Sequence, residues 1–126
     1  MTSDNTISTV LIVDDEVEFA FTLAQRLGLR GYAASVAHDG ESALRSIAEA
    51  RPDMVLLDVM LPGMHGIEVL RRIRELDQDL PVILLTGQAG ARDGIEGMKR
   101  GARGYLAKPV DLGELLEFFH GPNREA

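Results

Sequence analysis

The sequence contains no cysteine, which excludes a disulfide framework, a thiolate metal site and a cysteine nucleophile. It also lacks an excess of positive charge, the formal net charge being −7. Nonspecific nucleic-acid binding works by neutralising phosphates with Lys and Arg, so the balance argues against it while leaving room for a small basic patch. No apolar run approaches the length needed to span a bilayer. Met1 to Ser8 is polar and has neither the basic nor the apolar region of a signal peptide. What is present is ordinary for a water-soluble globular chain: 126 residues, 45% hydrophobic, long enough for one domain with a full core. A cytoplasmic protein is expected, as one domain over 1–126 with its core at about 9–120 and flexible tails at 1–8 and 121–126.

The most informative stretch is Met54-Val55-Leu56-Leu57-Asp58, followed by Val59-Met60-Leu61-Pro62-Gly63-Met64-His65-Gly66. A short continuous apolar run bounded by turn residues reads as a strand buried on both faces of a parallel sheet. It ends on a carboxylate, a poor strand residue that is rarely buried without a partner. Asp58 is therefore expected at the carboxyl edge of the strand, facing a crevice, although an Asp before a turn also commonly caps a loop.

Four more strands follow the same logic. Thr9–Val13 runs into Asp14-Asp15-Glu16, Ala33–Ala37 is a weaker strand before the turn Asp39-Gly40, Val82–Leu85 ends in Thr86, and Gly104–Ala107 ends in Lys108-Pro109. Helical spacing links them. Val17, Ala20, Phe21, Ala24 and Leu27 mark a first helix with Gly31 as its stop; Ala43, Leu44, Ile47 and Ala48 mark a second, closed by Arg51-Pro52. Val69, Leu70, Ile73 and Leu76 mark a third, and Ala91, Ile95, Met98 and Ala102 a fourth. Gly94 and Gly97 inside the fourth cost about 1 kcal/mol each relative to Ala, so it is expected to be the least stable. Asp111 and Glu114 open a last helix in capping-box fashion, with Leu112, Leu115, Leu116 and Phe119 on one face and Gly121-Pro122 as its end. Such alternation implies an α/β fold with helices on both faces of a parallel sheet.

In an open parallel sheet the carboxyl ends of the strands share one edge, where ligands bind. Asp14, Asp15, Asp58, Thr86 and Lys108 should therefore meet. Two carboxylates about 4 Å apart repel by roughly 4 kcal/mol at an effective dielectric near 20. One lysine cannot balance three of them, whereas a divalent cation with oxygen ligands can, and Mg²⁺ suits a site of few carboxylates. A metal and an ammonium together also suit an incoming phosphoryl group, for which a carboxylate can be the nucleophile.

These motifs resemble the receiver domain of two-component response regulators, the CheY-like family, over about Thr9 to Phe119. The resemblance implies a doubly wound five-stranded sheet of flavodoxin/CheY-like order 2-1-3-4-5. It implies that Asp58 accepts a phosphoryl group from a histidine kinase or phosphotransfer protein, with autocatalysis of its own phosphorylation and dephosphorylation as its only enzymatic act. Asp14, Asp15, Asp58 and the backbone carbonyl of Met60 would hold Mg²⁺, Lys108 would pair with the phosphoryl oxygens, Thr86 would donate its hydroxyl, and Tyr105 would follow Thr86 as a switch. The Lys108–Pro109 bond is expected cis. A downstream protein target, no direct DNA binding, no membrane association and a monomer or weak dimer follow, whether the receiver stands alone or was cut from a longer regulator. His65 stands where the family usually has a small polar residue, and we read it as a solvent-facing loop histidine. Gly87, Gly90, Gly94 and Gly97 suggest a mobile segment that orders when Thr86 moves.

Two other classes fit less well. A Mg²⁺-dependent aspartyl-phosphate phosphatase of the haloacid-dehalogenase kind would carry Asp-x-Asp after its first strand, where this chain has Asp14-Asp15-Glu16. Flavin binding would want a phosphate loop there, which three acids would repel.

Overall fold

The computed structural model describes residues 6–87 and 91–120, within which strand and helix alternate from end to end. Strands β1 (Thr9–Val13), β2 (Ala33–Ala37), β3 (Met54–Asp58), β4 (Val82–Thr86) and β5 (Gly104–Ala107) form one parallel sheet in the order β2-β1-β3-β4-β5. Both the parallel sheet and its order are those expected. Successive side chains of a strand point to opposite faces, and the core divides accordingly. Leu11, Val13, Val55, Leu57 and Leu84 pack against Ala43 and Ile47 of α2 (Gly40–Glu49) and Val69, Leu70 and Ile73 of α3 (Gly66–Leu76). Val10, Ile12, Leu56, Ile83 and Leu85 pack instead against Ala20, Leu23 and Leu27 of α1 (Val17–Leu29) and Leu115 and Phe119 of α5 (Leu112–Phe119). Central β3 and β4 are buried throughout, which is why they read as unbroken apolar runs, while edge strand β2 is half open to solvent.

The helix ends follow local chemistry. Gly31, at φ +95°, donates its N–H to Gly28 O at 3.0 Å, and Tyr32 donates to Leu27 O at 3.1 Å; these paired bonds close α1 as a Schellman motif. Asp39, a turn residue by sequence, caps α2 by accepting from the Ser42 N–H at 2.8 Å. Asp111 Oδ1 accepts from the N–H groups of Gly113 (2.8 Å) and Glu114 (3.3 Å), the forward half of the expected capping box. Asp111→Ala should lower stability by about 1 kcal/mol, read as a lower urea midpoint at unchanged slope. An unmoved midpoint would show that water caps α5 equally well.

Several side chains face otherwise than their spacing predicts. Val17 and Phe21 of α1 are 56% and 63% exposed, and Leu23 takes the inward place between Ala20 and Leu27. Leu76 of α3 is likewise exposed. In α4 (Ala91–Lys99), Ile95 and Met98 look outward, and it is Gly94 and Gly97 that lie inward. A Cβ at Gly94 would stand 2.5 Å from Tyr105 Cδ2, and one at Gly97 would collide with Leu84 Cδ1. The two glycines let the helix backbone lie directly on β4 and β5, so their conformational cost is offset by close approach. Ser8, counted with the tail by sequence, is tied down: its N–H donates to Asp53 Oδ2 at 2.8 Å and its carbonyl accepts from Ala33. Gly90 and the Gly121-Pro122 stop lie outside the described residues.

Candidate functional site

Strand register brings the polar strand ends to one edge. Val13 pairs with Leu57 and Asp58 with Leu85, which sets Asp14, one residue past β1, beside Asp58 at the end of β3. Backbone bonds continue up to the crevice: Asp14 N–H to Ala37 O at 3.0 Å, Val59 N–H to Leu85 O at 3.1 Å and Lys108 N–H to Thr86 O at 2.7 Å. Each polar side chain is thus carried by a fixed peptide at the carboxyl edge of the sheet, where ligands of open α/β folds bind.

Asp14 and Asp58 are buried and Asp15 exposed, and one carboxylate oxygen from each lies within 4.8 Å of the others. Asp58 Oδ1 accepts from the Met60 N–H at 3.0 Å, which leaves Oδ2 to face Lys108 Nζ at 3.4 Å. Asp14 Oδ1 accepts from the Glu16 N–H at 2.9 Å. Asp14 Oδ2 is within charge-pairing distance of Lys108 Nζ, 2.8 Å, yet off the line of a hydrogen bond, and it is buried with no hydrogen-bond partner. An orphaned buried oxygen beside two further carboxylates is an all-oxygen donor set, which fits a hard divalent cation such as Mg²⁺.

Lys108 is the hub of this charge. Its Nζ reaches Asp14 Oδ2 and Glu16 Oε1 at 2.8 Å each and Asp58 Oδ2 at 3.4 Å, and it sits 4.7 Å from the centroid of the Phe19 ring. Burial alone would lower the pKa of this ammonium; the carboxylates of Asp14 and Glu16, with Asp58 adding, outweigh burial and raise it. Asp58 moves up for the opposite reason: burial disfavours its charge and Asp14 adds repulsion, only partly opposed by the Met60 N–H and Lys108. A bound cation would reverse the sign of that shift.

Thr86 is buried at the end of β4, and its hydroxyl points at Leu106 O from 3.5 Å, a weak bond that is cheap to exchange. Tyr105 pairs with Leu84, two residues before Thr86, so Thr86 and Tyr105 share one face of the sheet. The Tyr105 ring is partly exposed and lies against Gly94 of α4. The Lys108–Pro109 bond is cis, as the sequence resemblance implies.

Four residues of the site region escaped the sequence. Glu16 and Phe19 both seat Lys108, and His38 Nδ1 meets the Asp14 carbonyl at 3.0 Å, steadying the loop after β1. His65 is solvent-facing in the loop before α3, as expected, and it is also the N-cap of α3, accepting from the Ile67 N–H through Nδ1 at 3.1 Å. The acidity of Glu16 was visible in the Asp14-Asp15-Glu16 run, but not that it pairs across the sheet. His65 precedes a helical apolar run, yet histidine is not among the residues that mark an N-cap.

Residues 10–120 match the model of a protein family described as the response regulator receiver domain. Among curated relatives, the uncharacterized transcriptional regulatory protein YkoG of Bacillus subtilis is 45% identical over 107 residues, covering 85% of this chain and 47% of its own length. Response regulator MprA of Mycobacterium ulcerans is 42% identical over 107 residues, covering 85% of this chain and 46% of its own. The chain thus spans about half the length of the curated relatives it matches. Among solved structures, the receiver domain of NtrX from Brucella abortus superposes with a TM-score of 0.82 at 31% identity, covering 86% of this chain and 92% of that one. A response regulator receiver domain protein from Clostridium thermocellum reaches 0.86 at 29% identity, covering 90% and 92%.

Proposed function

The chain belongs to the response regulator receiver domain family, and from that premise we propose that it accepts a phosphoryl group on Asp58 and thereby switches a protein-binding face. The observation that carries the reading is the Lys108 ammonium within 3.4 Å of Asp14, Glu16 and Asp58 oxygens, beside an Asp14 oxygen that lacks a hydrogen bond. This is a site of surplus negative charge with one cation already placed. In the transfer, an Asp58 carboxylate oxygen bonds to phosphorus as the bond from phosphorus to the donor histidine breaks. The electron pair leaves with the imidazole, which then takes a proton. Held by Asp14, Asp15, Asp58 and the Met60 carbonyl, Mg²⁺ would neutralise both the carboxylates and the charge developing on the phosphoryl oxygens.

Lys108 pairs with one phosphoryl oxygen, and Thr86 gives up its weak bond to Leu106 O to donate to another. Movement of Thr86 is passed to Tyr105 on the same face of the sheet and so to α4, whose outward residues Ile95 and Met98 are exposed apolar surface. The switched face is read by a protein partner; that YkoG is described as a transcriptional regulatory protein supports an output in transcription. The donor is a sensor histidine kinase or a phosphotransfer protein, and the reaction belongs in the cytoplasm. Among the described residues no helix is long and apolar enough to cross a membrane. The receiver itself makes no DNA contact, functions as one domain over 1–126 and is a monomer or weak dimer.

The test is incubation with acetyl phosphate and Mg²⁺ followed by intact-mass measurement. One added phosphoryl group is expected, and none in Asp58→Asn or with the metal chelated. Equal uptake by Asp58→Asn, or uptake that ignores Mg²⁺, would sink the proposal.

A further inference from the structure

We infer that Glu16 is a positioning residue that seats Lys108 away from Asp58 in the resting site and so slows phosphoryl uptake. This rests on the phosphoacceptor reading above. Lys108 donates to Glu16 at 2.8 Å and more weakly to Asp58 at 3.4 Å, with Asp14 Oδ2 also 2.8 Å from Nζ, so a phosphoryl oxygen is reached only as one of these contacts is given up. The two close partners are Asp14 and Glu16, at 2.8 Å each; the acceptor Asp58 is the distant one, at 3.4 Å. The phenyl ring of Phe19, 4.7 Å from Nζ, holds the ammonium toward α1 as well.

Of the two close partners, only Glu16 can yield. Asp14 is buried, its N–H is bonded to Ala37 O and its Oδ1 is occupied by the Glu16 N–H. The Glu16 side chain is 64% exposed. Its backbone is nevertheless fixed, because its carbonyl accepts the first bond of α1, from Ala20 N–H at 3.0 Å. Glu16 is the N-cap of α1, yet its side chain makes no cap bond. It reaches instead to a lysine 92 residues along the chain. A residue at a capping position that leaves the helix uncapped to hold a cation elsewhere is placed to act on that cation.

The consequence follows from where the contact exists. Before transfer, Glu16 occupies a Lys108 N–H. As the bond from Asp58 to phosphorus forms and the donor departs with its electron pair, charge spreads over three phosphoryl oxygens, and Lys108 must turn an N–H to one of them. The Glu16 contact therefore stabilises the ground state and not the transition state of uptake, so its removal lowers that barrier. Hydrolysis starts from phosphorylated protein, in which Lys108 has already left Glu16. That rate should not change.

The experiment measures, in saturating Mg²⁺, the rate of uptake from acetyl phosphate and the rate of hydrolysis of the phosphorylated chain. Glu16→Gln should speed uptake about two- to fivefold, the worth of an exposed ion pair, and leave hydrolysis within experimental error. Glu16→Asp keeps the charge but is one methylene too short for the contact, and should match Glu16→Gln. Glu18→Gln removes a charge from the same helical turn without touching Lys108, and should match the unaltered chain. Uptake unchanged in Glu16→Gln, an equal gain in Glu18→Gln, a Glu16→Asp that behaves as the unaltered chain, or equal factors on uptake and hydrolysis would each overturn the inference. If the unaltered chain takes up no phosphoryl group, it is the phosphoacceptor reading that fails, and this inference with it.

Discussion

Asp58→Asn should raise the thermal stability of the metal-free protein and remove most of the further gain expected from Mg²⁺ in the unaltered chain. Asp58 is 4% exposed, and its carboxylate lies within 4.8 Å of those of Asp14 and Asp15. Two charges at that separation repel by roughly 3.5 kcal/mol at an effective dielectric near 20, and Lys108 offsets only part of it. Asparagine keeps an oxygen for the Met60 N–H and carries no charge. The pKa of Asp58 is raised in the fold, first by burial and then by Asp14. Its favourable contribution is therefore full only below the unfolded pKa and is lost as pH rises through the folded one. Removing a carboxyl that burial and Asp14 disfavour in its charged form should lift the melting temperature by on the order of 5 °C. For the unaltered chain, metal at ten times its dissociation constant should add about 1.4 kcal/mol. With one fewer charged ligand the variant should gain a small fraction of that. Scanning calorimetry with and without Mg²⁺ reads both effects, and an Asp58→Asn variant that melts lower, or gains as much from Mg²⁺, would contradict the charge assignment.

Gly66→Ala should cost about 3 kcal/mol, more than Gly97→Ala, although the clash at Gly97 is the closer of the two. A Cβ at Gly66 would stand 2.5 Å from Asp58 O, 2.6 Å from Val59 Cα and 2.9 Å from Val59 O, all backbone atoms at the end of β3. They cannot move without disturbing the bond from Gly66 N–H to Val59 O, 2.8 Å long, and Asp58, the proposed phosphoacceptor. At Gly97 the obstacle is a methyl of Leu84, a flexible side-chain end. Alanine also gains about 1 kcal/mol of helix propensity inside α4, so the net cost there should stay below about 2 kcal/mol. Urea unfolding of the two variants decides the order. A Gly97→Ala variant less stable than Gly66→Ala would mean that α4 is held more rigidly than β3.

The sheet was legible because the strands are short apolar runs, and four of the five lead into a polar residue that carries the topology into the site. Asp14, Asp58 and Lys108 were found from the strand ends alone, since parallel strands leave no other place for them. The helices were less legible. In α1 the set Val17, Ala20, Phe21, Ala24, Leu27 is as periodic as the buried set Ala20, Leu23, Leu27, and only packing against the sheet selects the second. In α4 the inward positions are glycines, which add nothing to an apolar pattern, so the spacing points to the outward Ile95 and Met98 instead. The reach of Glu16 to Lys108 and the turn of the Thr86 hydroxyl toward Leu106 O are side-chain torsions, for which a residue spacing holds no information.

Reductive trapping of the acyl phosphate tests the central claim most directly. The chain is phosphorylated with acetyl phosphate and Mg²⁺, treated with borohydride, digested and mapped by tandem mass spectrometry. Borohydride reduces an aspartyl phosphate to homoserine, so the residue that carried the phosphoryl group is marked covalently. Conversion at Asp58 alone, absent without Mg²⁺, is the predicted result; conversion at Asp14 or Asp15, or at no aspartate in protein that has taken up phosphate, would contradict it.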